Sequence, residues 1–313
     1  MKIAVMGSGG VGGFYGGRLA HAGYDVHFVA RGAHLEALRK QGLTIENKEQ
    51  GDIHVAKVNV TDDPATIGTA DVVIIAVKLK DTDAAAQAVK SIVGPQTAVL
   101  SLQNGVIKDD ILRKHYSAAQ IMGGVAYVAT HVARPGVILQ VGGFQRVVFG
   151  EYDGKKSARA EALLKALLAG GIQAELSDDI RRTLWEKYTF LVGLSGTTTT
   201  MRSTIGPIRT NPRARAFLYD LFKEVVAVGR AHGVKLPANY ADDRLAFGDS
   251  VPATMTSSMH HDLERGNPLE VEWLSGGVVT LGAAVGVPTP CNRAVWDMLA
   301  LYAEGSPAAK CTN

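Results

Sequence analysis

Gly7, Gly9 and Gly12, in the run Gly7-Ser8-Gly9-Gly10-Val11-Gly12, have the spacing that cradles a dinucleotide pyrophosphate. Lys2-Ile3-Ala4-Val5-Met6 ahead of them is an apolar run of strand length. Leu19 and Ala20 continue the helical spacing of Val11 and Tyr15 behind them, and Gly23 ends that segment. In this setting Gly7 permits a tight turn, Gly9 lets backbone approach phosphate, and Gly12 lets the helix pack close to the strand. The free N–H groups at the helix start then face anionic oxygens. A ligand-free strand-to-helix turn is the competing reading, and the N-terminal strand–glycine–helix order counts against it.

The next strand, Tyr24 to Ala30, ends at Arg31-Gly32. An NAD-binding site places a carboxylate there to accept from the ribose 2′-hydroxyl, but Asp25 lies at the wrong end of the strand. Arg31 offers a planar fork of donors suited to a 2′-phosphate, so NADP(H) is expected rather than NAD(H); a solvated surface arginine is the alternative. Lys78 closes the apolar run Val72 to Val77, and Asn104, in Gln103-Asn104-Gly105, follows Ala98 to Leu102. Ligands in open α/β sheets bind at such strand ends. Lys78 is thus placed to contact cofactor, and Asn104 the nicotinamide ribose or substrate. A surface lysine and an Asn-Gly turn remain the plain alternatives.

Lys187 is the charged member of a helical stripe formed by Ile180, Leu184, Lys187 and Leu191. A partly desolvated lysine has a lowered pKa and can donate a proton near neutrality; on this helix alone, a lysine snorkelling from the stripe's edge is the favoured reading. Asn267, Pro268 and Glu270 read as a capping box at the start of a helix, and Glu270 could also pair with Lys187. Ser258 could bind a carboxylate or simply sit in its helix. His260 and His261 are adjacent and have no matching ligand set, so no metal site is expected. No nucleophile elbow is present.

These residues need a framework. Short apolar strands alternate with helical segments: helices are expected near His34–Lys40, Ala84–Ile92 and Ala158–Leu168, and strands at Ile121–Val125, Val137–Leu139 and Val147–Phe149. This is an open, doubly wound α/β sheet of Rossmann type. Past Glu175–Ser177 the periodicity is helical throughout. Asp178 or Asp179 can cap the helix that carries Lys187. Further helices are expected over Ala214–Gly233, Thr254–Arg265, Leu269–Val285 and Arg293–Tyr302. The expected organisation is a cofactor domain over 1–176 and an all-helical substrate and catalytic domain over 177–313.

The 313-residue chain suits two domains, and 46% apolar with 20% charged residues is an ordinary globular balance. The net charge of +3 gives no reason to expect nucleic acid or membrane as partner. Cys291 and Cys311 are too few and too far apart for a disulfide framework. The apolar N-terminal run is too short for a signal peptide, and a cytoplasmic location is expected.

Together, the glycine run, Arg31, Lys78, Gln103-Asn104-Gly105, Leu184-Trp185-Glu186-Lys187, Ser257-Ser258-Met259 and Glu270-Val271-Glu272-Trp273-Leu274-Ser275-Gly276 resemble the ketopantoate reductases (2-dehydropantoate 2-reductases) over nearly the whole chain. The resemblance implies NADPH-dependent reduction of 2-dehydropantoate to pantoate, a pantothenate precursor. It implies Lys187 as proton donor, Asn104 beside nicotinamide and substrate, Ser258 on the substrate carboxylate, and Glu270 between cofactor and substrate. It also implies Lys78 and Ala129 as cofactor contacts. Family asparagines that bind substrate are matched here by Leu191, Ser195 and Ile205, of which only Ser195 is polar. Two alternatives follow: reduction of a less polar 2-keto acid, or a redox sensor that binds NADP(H) without turnover. The apolar helices of the second half could also supply a homodimer face.

Overall fold

The computed structural model describes residues 1–306; Cys311 lies outside the described residues. The chain divides into two compact units. The first holds Met1–Asn104 and Lys108–Thr183, and the second holds Gly105–Ile107 and the residues from Leu184 onward.

The first unit is built on a ten-stranded mixed sheet. In chain order its elements are β1 (Lys2–Met6), α1 (Gly10–His21), β2 (Asp25–Val29), α2 (Gly32–Gln41), β3 (Leu43–Glu46), β4 (Ile53–Val55), β5 (Asn59–Thr61), β6 (Ala70–Ile75), α3 (Thr82–Ala88), β7 (Val93–Ser101), α4 (Lys108–Leu112), β8 (Ile121–Arg134), β9 (Val137–Glu151), α5 (Ala158–Ala169) and β10 (Gln173–Leu176). The sheet order is β4-β3-β9-β8-β7-β6-β1-β2-β5, with β10 also on β9. The chain leaves β1 towards β2 and later returns to β1's other side as β6, so the strand order reverses at β1. Crevices at such reversals are where α/β sheets take ligands.

Alternation along the strands explains the two covered faces. Ile3, Val5, Val72 and Ile74 join a core containing Phe14, Leu19, Leu163 and Leu167 of α1 and α5. Ala4, Met6, Val73 and Ile75 join another containing Ala85 and Leu112 of α3 and α4. Strands buried on both faces read as continuous apolar runs, which is how β1 and β6 look in the sequence.

The expected doubly wound sheet is present, with differences in detail. The short strands expected between Ile121 and Phe149 are arms of one long antiparallel hairpin, β8–β9, fourteen and fifteen residues in length. The helix expected over Ala84–Ile92 stops at Ala88, and a short 3-10 turn, Lys90–Ile92, follows.

The second unit is helical: α6 (Ile180–Thr200, its residues from Leu184), α7 (Ile205–Thr210), α8 (Pro212–Ala231), α9 (Tyr240–Ser250), α10 (Ser258–Glu264), α11 (Ser275–Ala284) and α12 (Pro290–Leu299). Asp179 caps α6 by accepting from the Arg182 N–H at 3.0 Å. Asn211 caps α8, whose first residue is Pro212, and Gly233 with φ +78° follows its end. No helix among the described residues is long and apolar enough to cross a membrane.

Three of the expected helices are shorter than their periodicity suggests. The segment before α10 cannot be helical, because the carbonyls of Ala253 and Met255 accept from Gly206 and Ile205 N–H. Likewise α11 begins at Ser275, not Leu269. The Leu269 N–H is taken by Ala303 O at 2.9 Å, and the Asn267 side chain donates to Asp262, so the Asn267–Glu270 capping box does not form. The final helix closes at Leu299, with a 3-10 turn over Ala300–Tyr302.

Candidate active site

Four parallel strands end level with one another: Met6 is opposite Val29 and Ile75, and Ile75 is opposite Ser101. The glycine loop, Arg31, Val77-Lys78 and Gln103-Asn104 follow those ends, so the sheet register places them along one edge of the first unit.

The glycine loop is shaped by what surrounds each position. Gly7 has φ +95°, and a Cβ there would lie 2.8 Å from Val77 Cγ1. A Cβ on Gly12 would collide with the Gly7 carbonyl oxygen, and one on Gly10 would lie 2.6 Å from Thr130 O. A Cβ on Gly9 meets nothing within 4 Å. Three glycines therefore exist for packing, and Gly9 opens onto free space at the start of α1. A phosphate group fits this arrangement: small backbone, open approach and unpaired helix N–H groups coincide. Ser8 is buried, and Val11 is half-buried in the first turn of α1. Ala129 is exposed where the β8–β9 register shifts, and the Thr130 hydroxyl beside Gly10 is buried without a partner among the described residues.

His34 holds this loop from behind. Its Nδ1 accepts the Gly136 N–H at 3.1 Å, so its proton sits on Nε2, which donates to Ser8 O at 2.9 Å. Burial pushes its pKa below the usual imidazole value. Only the neutral ring can make both bonds. The unfolded chain therefore binds this proton more readily than the folded one, and His34 contributes stability above the unfolded pKa that is lost as pH falls. Acidification below about pH 6.5 is expected to lower the melting temperature of the natural protein more than that of His34→Gln. Equal drops in a pair of thermal melts would exclude this role.

Arg31 is exposed at the start of α2 and forms no ion pair among the described residues. Asp25, at the far end of β2, is engaged with His27 at 2.9 Å. Ala30-Arg31-Gly32, which follow β2, include no carboxylate.

The next two loops are fastened together. Buried Gln103 donates from Nε2 to Val77 O at 3.0 Å and to Thr82 Oγ1 at 2.8 Å, while its Oε1 accepts from Ser101 Oγ at 2.9 Å. Lys78 is exposed, and Asn104 is half-buried ahead of Gly105, whose φ is +85°.

Sequence reasoning missed Lys108, at the start of α4. It is completely buried, and its ammonium donates to Ser101 O at 2.8 Å, Gln103 O at 2.9 Å and Gly124 O at 2.6 Å. Burial lowers its pKa to about 8, opposed by the adjacent Asp109. Asp109 is buried too and accepts from Tyr152 Oη at 2.5 Å; burial raises its carboxyl above the usual range. Desolvating an ammonium costs several kcal/mol, and three charge-assisted hydrogen bonds return about 1.5–3 kcal/mol each. The three bonds offset the desolvation and fix three carbonyls around one point. A lone lysine after an Asn-Gly turn carries no periodic signal, which is why the sequence hides it.

In the second unit, Trp185, Tyr188 and Val192 of α6 face the helical core, and Lys187 is half-buried beside them. Tyr188 Oη donates to Leu274 O at 2.6 Å and lies 3.0 Å from Trp273 O. Trp273 and Leu274 in turn donate their N–H groups to Glu270 O. The segments bearing Lys187 and Glu270 are thus joined through Tyr188. Glu270 opens a turn rather than occupying the first turn of α11. Ser257, not Ser258, caps α10, accepting from His260 N–H, and Ser258 is exposed. Ser195 is fully buried with its hydroxyl unpartnered among the described residues. Leu191 packs partly buried against the helical core, and Ile205 is fully buried with Leu194 and Val251.

Residues 3–154 match the family model described as Ketopantoate reductase PanE/ApbA, and residues 179–303 match the model for its C-terminal part. The chain belongs to the ketopantoate reductase family. Among ketopantoate reductases it is similar to a 2-dehydropantoate 2-reductase of Mesorhizobium japonicum, 31% identical over 94% of this chain and 95% of that protein. It is also similar to a PanE/ApbA family ketopantoate reductase from Ralstonia eutropha, at 34% identity and a TM-score of 0.87, over 97% of this chain and 98% of that one. The fold extends to a D-mandelate dehydrogenase solved with NADH and anilino(oxo)acetate, at 22% identity and a TM-score of 0.87, over 97% of this chain and 98% of that one. The family is one of oxidoreductases.

Proposed function

We propose that this member of the family is an NADP(H)-dependent reductase of 2-dehydropantoate, producing pantoate. The observation that carries the reading is the level ending of four parallel strands, with the open Gly9 cradle, Arg31, Lys78 and Asn104 directly after them. The dihydronicotinamide, when bound, supplies hydride to the ketone carbon. Backbone N–H groups from Gly9 to Gly12 receive the pyrophosphate, with Ser8 and Val11 shaping the turn. Arg31 grips the 2′-phosphate, Lys78 and Ala129 contact the cofactor, and Asn104 orients the nicotinamide ribose and the substrate. Lys187 donates a proton from Nζ to the oxygen that becomes the alcohol. Glu270 contacts the cofactor side, and Ser195 and Ser258 offer hydroxyls to the substrate. In this reading residues 1–176 bind cofactor and residues 177–313 supply the proton donor and substrate contacts.

The deciding experiment is NADPH oxidation with 2-dehydropantoate beside straight-chain, branched and aromatic 2-keto acids. The expected result is the highest kcat/KM for 2-dehydropantoate. A much higher value for another substrate would favour the second reading, a less polar 2-keto acid, for which apolar Leu191 and Ile205 speak. Stoichiometric NADPH binding with no turnover on any of them would mean a redox sensor.

Cofactor choice gives a separate prediction. NADPH should be preferred over NADH, and Arg31→Ala should narrow the preference by about ten- to a hundredfold. That is the range for losing a charge-assisted contact of roughly 1.5–3 kcal/mol. The ratio of kcat/KM for the two cofactors, before and after substitution, is the measurement. Equal use of both by the natural enzyme would sink the assignment of Arg31.

A further inference from the structure

Parallel pairing between β7 and β8 lasts for two residue pairs, Val99 with Ile121 and Leu100 with Met122. Beyond that point the Ser101 and Gly124 carbonyls turn to one side chain, Lys108. The same ammonium takes the carbonyl of Gln103, the residue before Asn104. Its three protons match three acceptors, and no polar valence is left over. The space at position 124 is already filled: a Cβ there would lie 2.5 Å from Leu100 Cδ1 and 3.0 Å from Ser101 O. The ammonium thus substitutes for ladder bonds where the sheet splays to release the Asn104 loop. Gln103's carboxamide holds the loop's other side through Val77 and Thr82.

We propose that Lys108 is a positioning residue, its buried ammonium fixing the Gln103–Asn104 backbone so that Asn104 meets cofactor and substrate in one orientation. The proposal rests on the role given to Asn104 above. An apolar residue of similar length at position 108 leaves three buried carbonyls unpaired, and the loop shifts to find water or other donors. Lys108 is completely buried and touches neither cofactor nor substrate, so its loss acts on turnover only through Asn104.

The test is a double-mutant cycle on the full-length enzyme with Lys108→Met and Asn104→Ala, read as kcat, NADPH Kd and thermal melting. Lys108→Met is expected to lower kcat about tenfold with NADPH Kd changed less than about twofold, and to cost less than about twofold more once Asn104 is already alanine. Lys108→Gln, which keeps two donors, should fall between the natural enzyme and Lys108→Met. Losses that multiply in the double variant would overturn the proposal, as would an unchanged kcat in Lys108→Met. Failure of both Lys108 variants to fold would assign the residue to the framework and likewise overturn it. Full activity in Asn104→Ala would instead remove the reading of Asn104 on which the proposal rests.

Discussion

Replacing Lys187 by alanine is expected to lower kcat about a hundredfold or more, the usual range for a lost general acid, while NADPH affinity stays nearly unchanged. The helix itself tolerates the change. Lys187 lies within the 21-residue α6, where alanine is the best helix former, and the neighbouring contacts of Trp185, Tyr188 and Val192 with the core remain. In the proposed mechanism the change removes the proton source for the developing alkoxide. Lys187→Arg restores charge without restoring an acid of suitable strength, because a guanidinium does not give up its proton near neutrality, so it too should be slow. Steady-state turnover together with a fluorescence titration of NADPH separates chemistry from binding. Near-normal turnover in Lys187→Ala would take the residue out of the mechanism.

An equally large effect is expected at the glycine loop, and there the contrast between two positions is the test. Gly12→Ala drives a methyl group into the Gly7 carbonyl oxygen and to 2.9 Å from Val5 Cγ1 and 3.0 Å from Ala76 Cβ. None of these atoms belongs to a flexible side-chain end, so α1 must move off β1. Overpacking of this kind costs about 1–3 kcal/mol or more. Gly12→Ala should therefore melt at a clearly lower temperature and lose dinucleotide binding. Gly9→Ala meets nothing within 4 Å in the protein, so its melting temperature should hold while binding is lost to the methyl group in the phosphate approach. If Gly9→Ala binds NADPH as tightly as the natural protein, the cradle is wrongly assigned.

The sequence carried the sheet well where burial on both faces leaves apolar runs, as at β1 and β6, and where glycine and proline punctuate, as at Gly12, Pro212 and Gly233. It carried the second half less well. Leu269 to Val285 has helical periodicity, yet backbone groups at its start are claimed by distant partners, Ala303 for Leu269 and Tyr188 for Trp273 and Leu274. Tertiary hydrogen bonds outweighed a local capping signal there. The β8–β9 hairpin looked like separate strands because its apolar runs are interrupted at Ala129–Pro135 and Val141–Phe144, which are exposed or half-buried. Among the proposed site residues, the strand-end groups could be named from their positions, and the role proposed for Lys187 comes from the family resemblance rather than from its helix. Lys108 could not be named, because a polar side chain that satisfies buried carbonyls leaves no pattern in the residues beside it.

Gln103 has one more consequence. Its carboxamide joins the backbone after β6 to the loop after β7 and to the first residue of α3. The two loops are therefore tied to each other by the protein's own hydrogen bonds. Ordering a loop residue costs about 1–2 kcal/mol of backbone entropy, and here folding has settled that cost in advance. In the proposed complex the cofactor would meet a prepared edge at Lys78 and Asn104, and the free energy of its contacts there would go into affinity and alignment rather than into organising the protein.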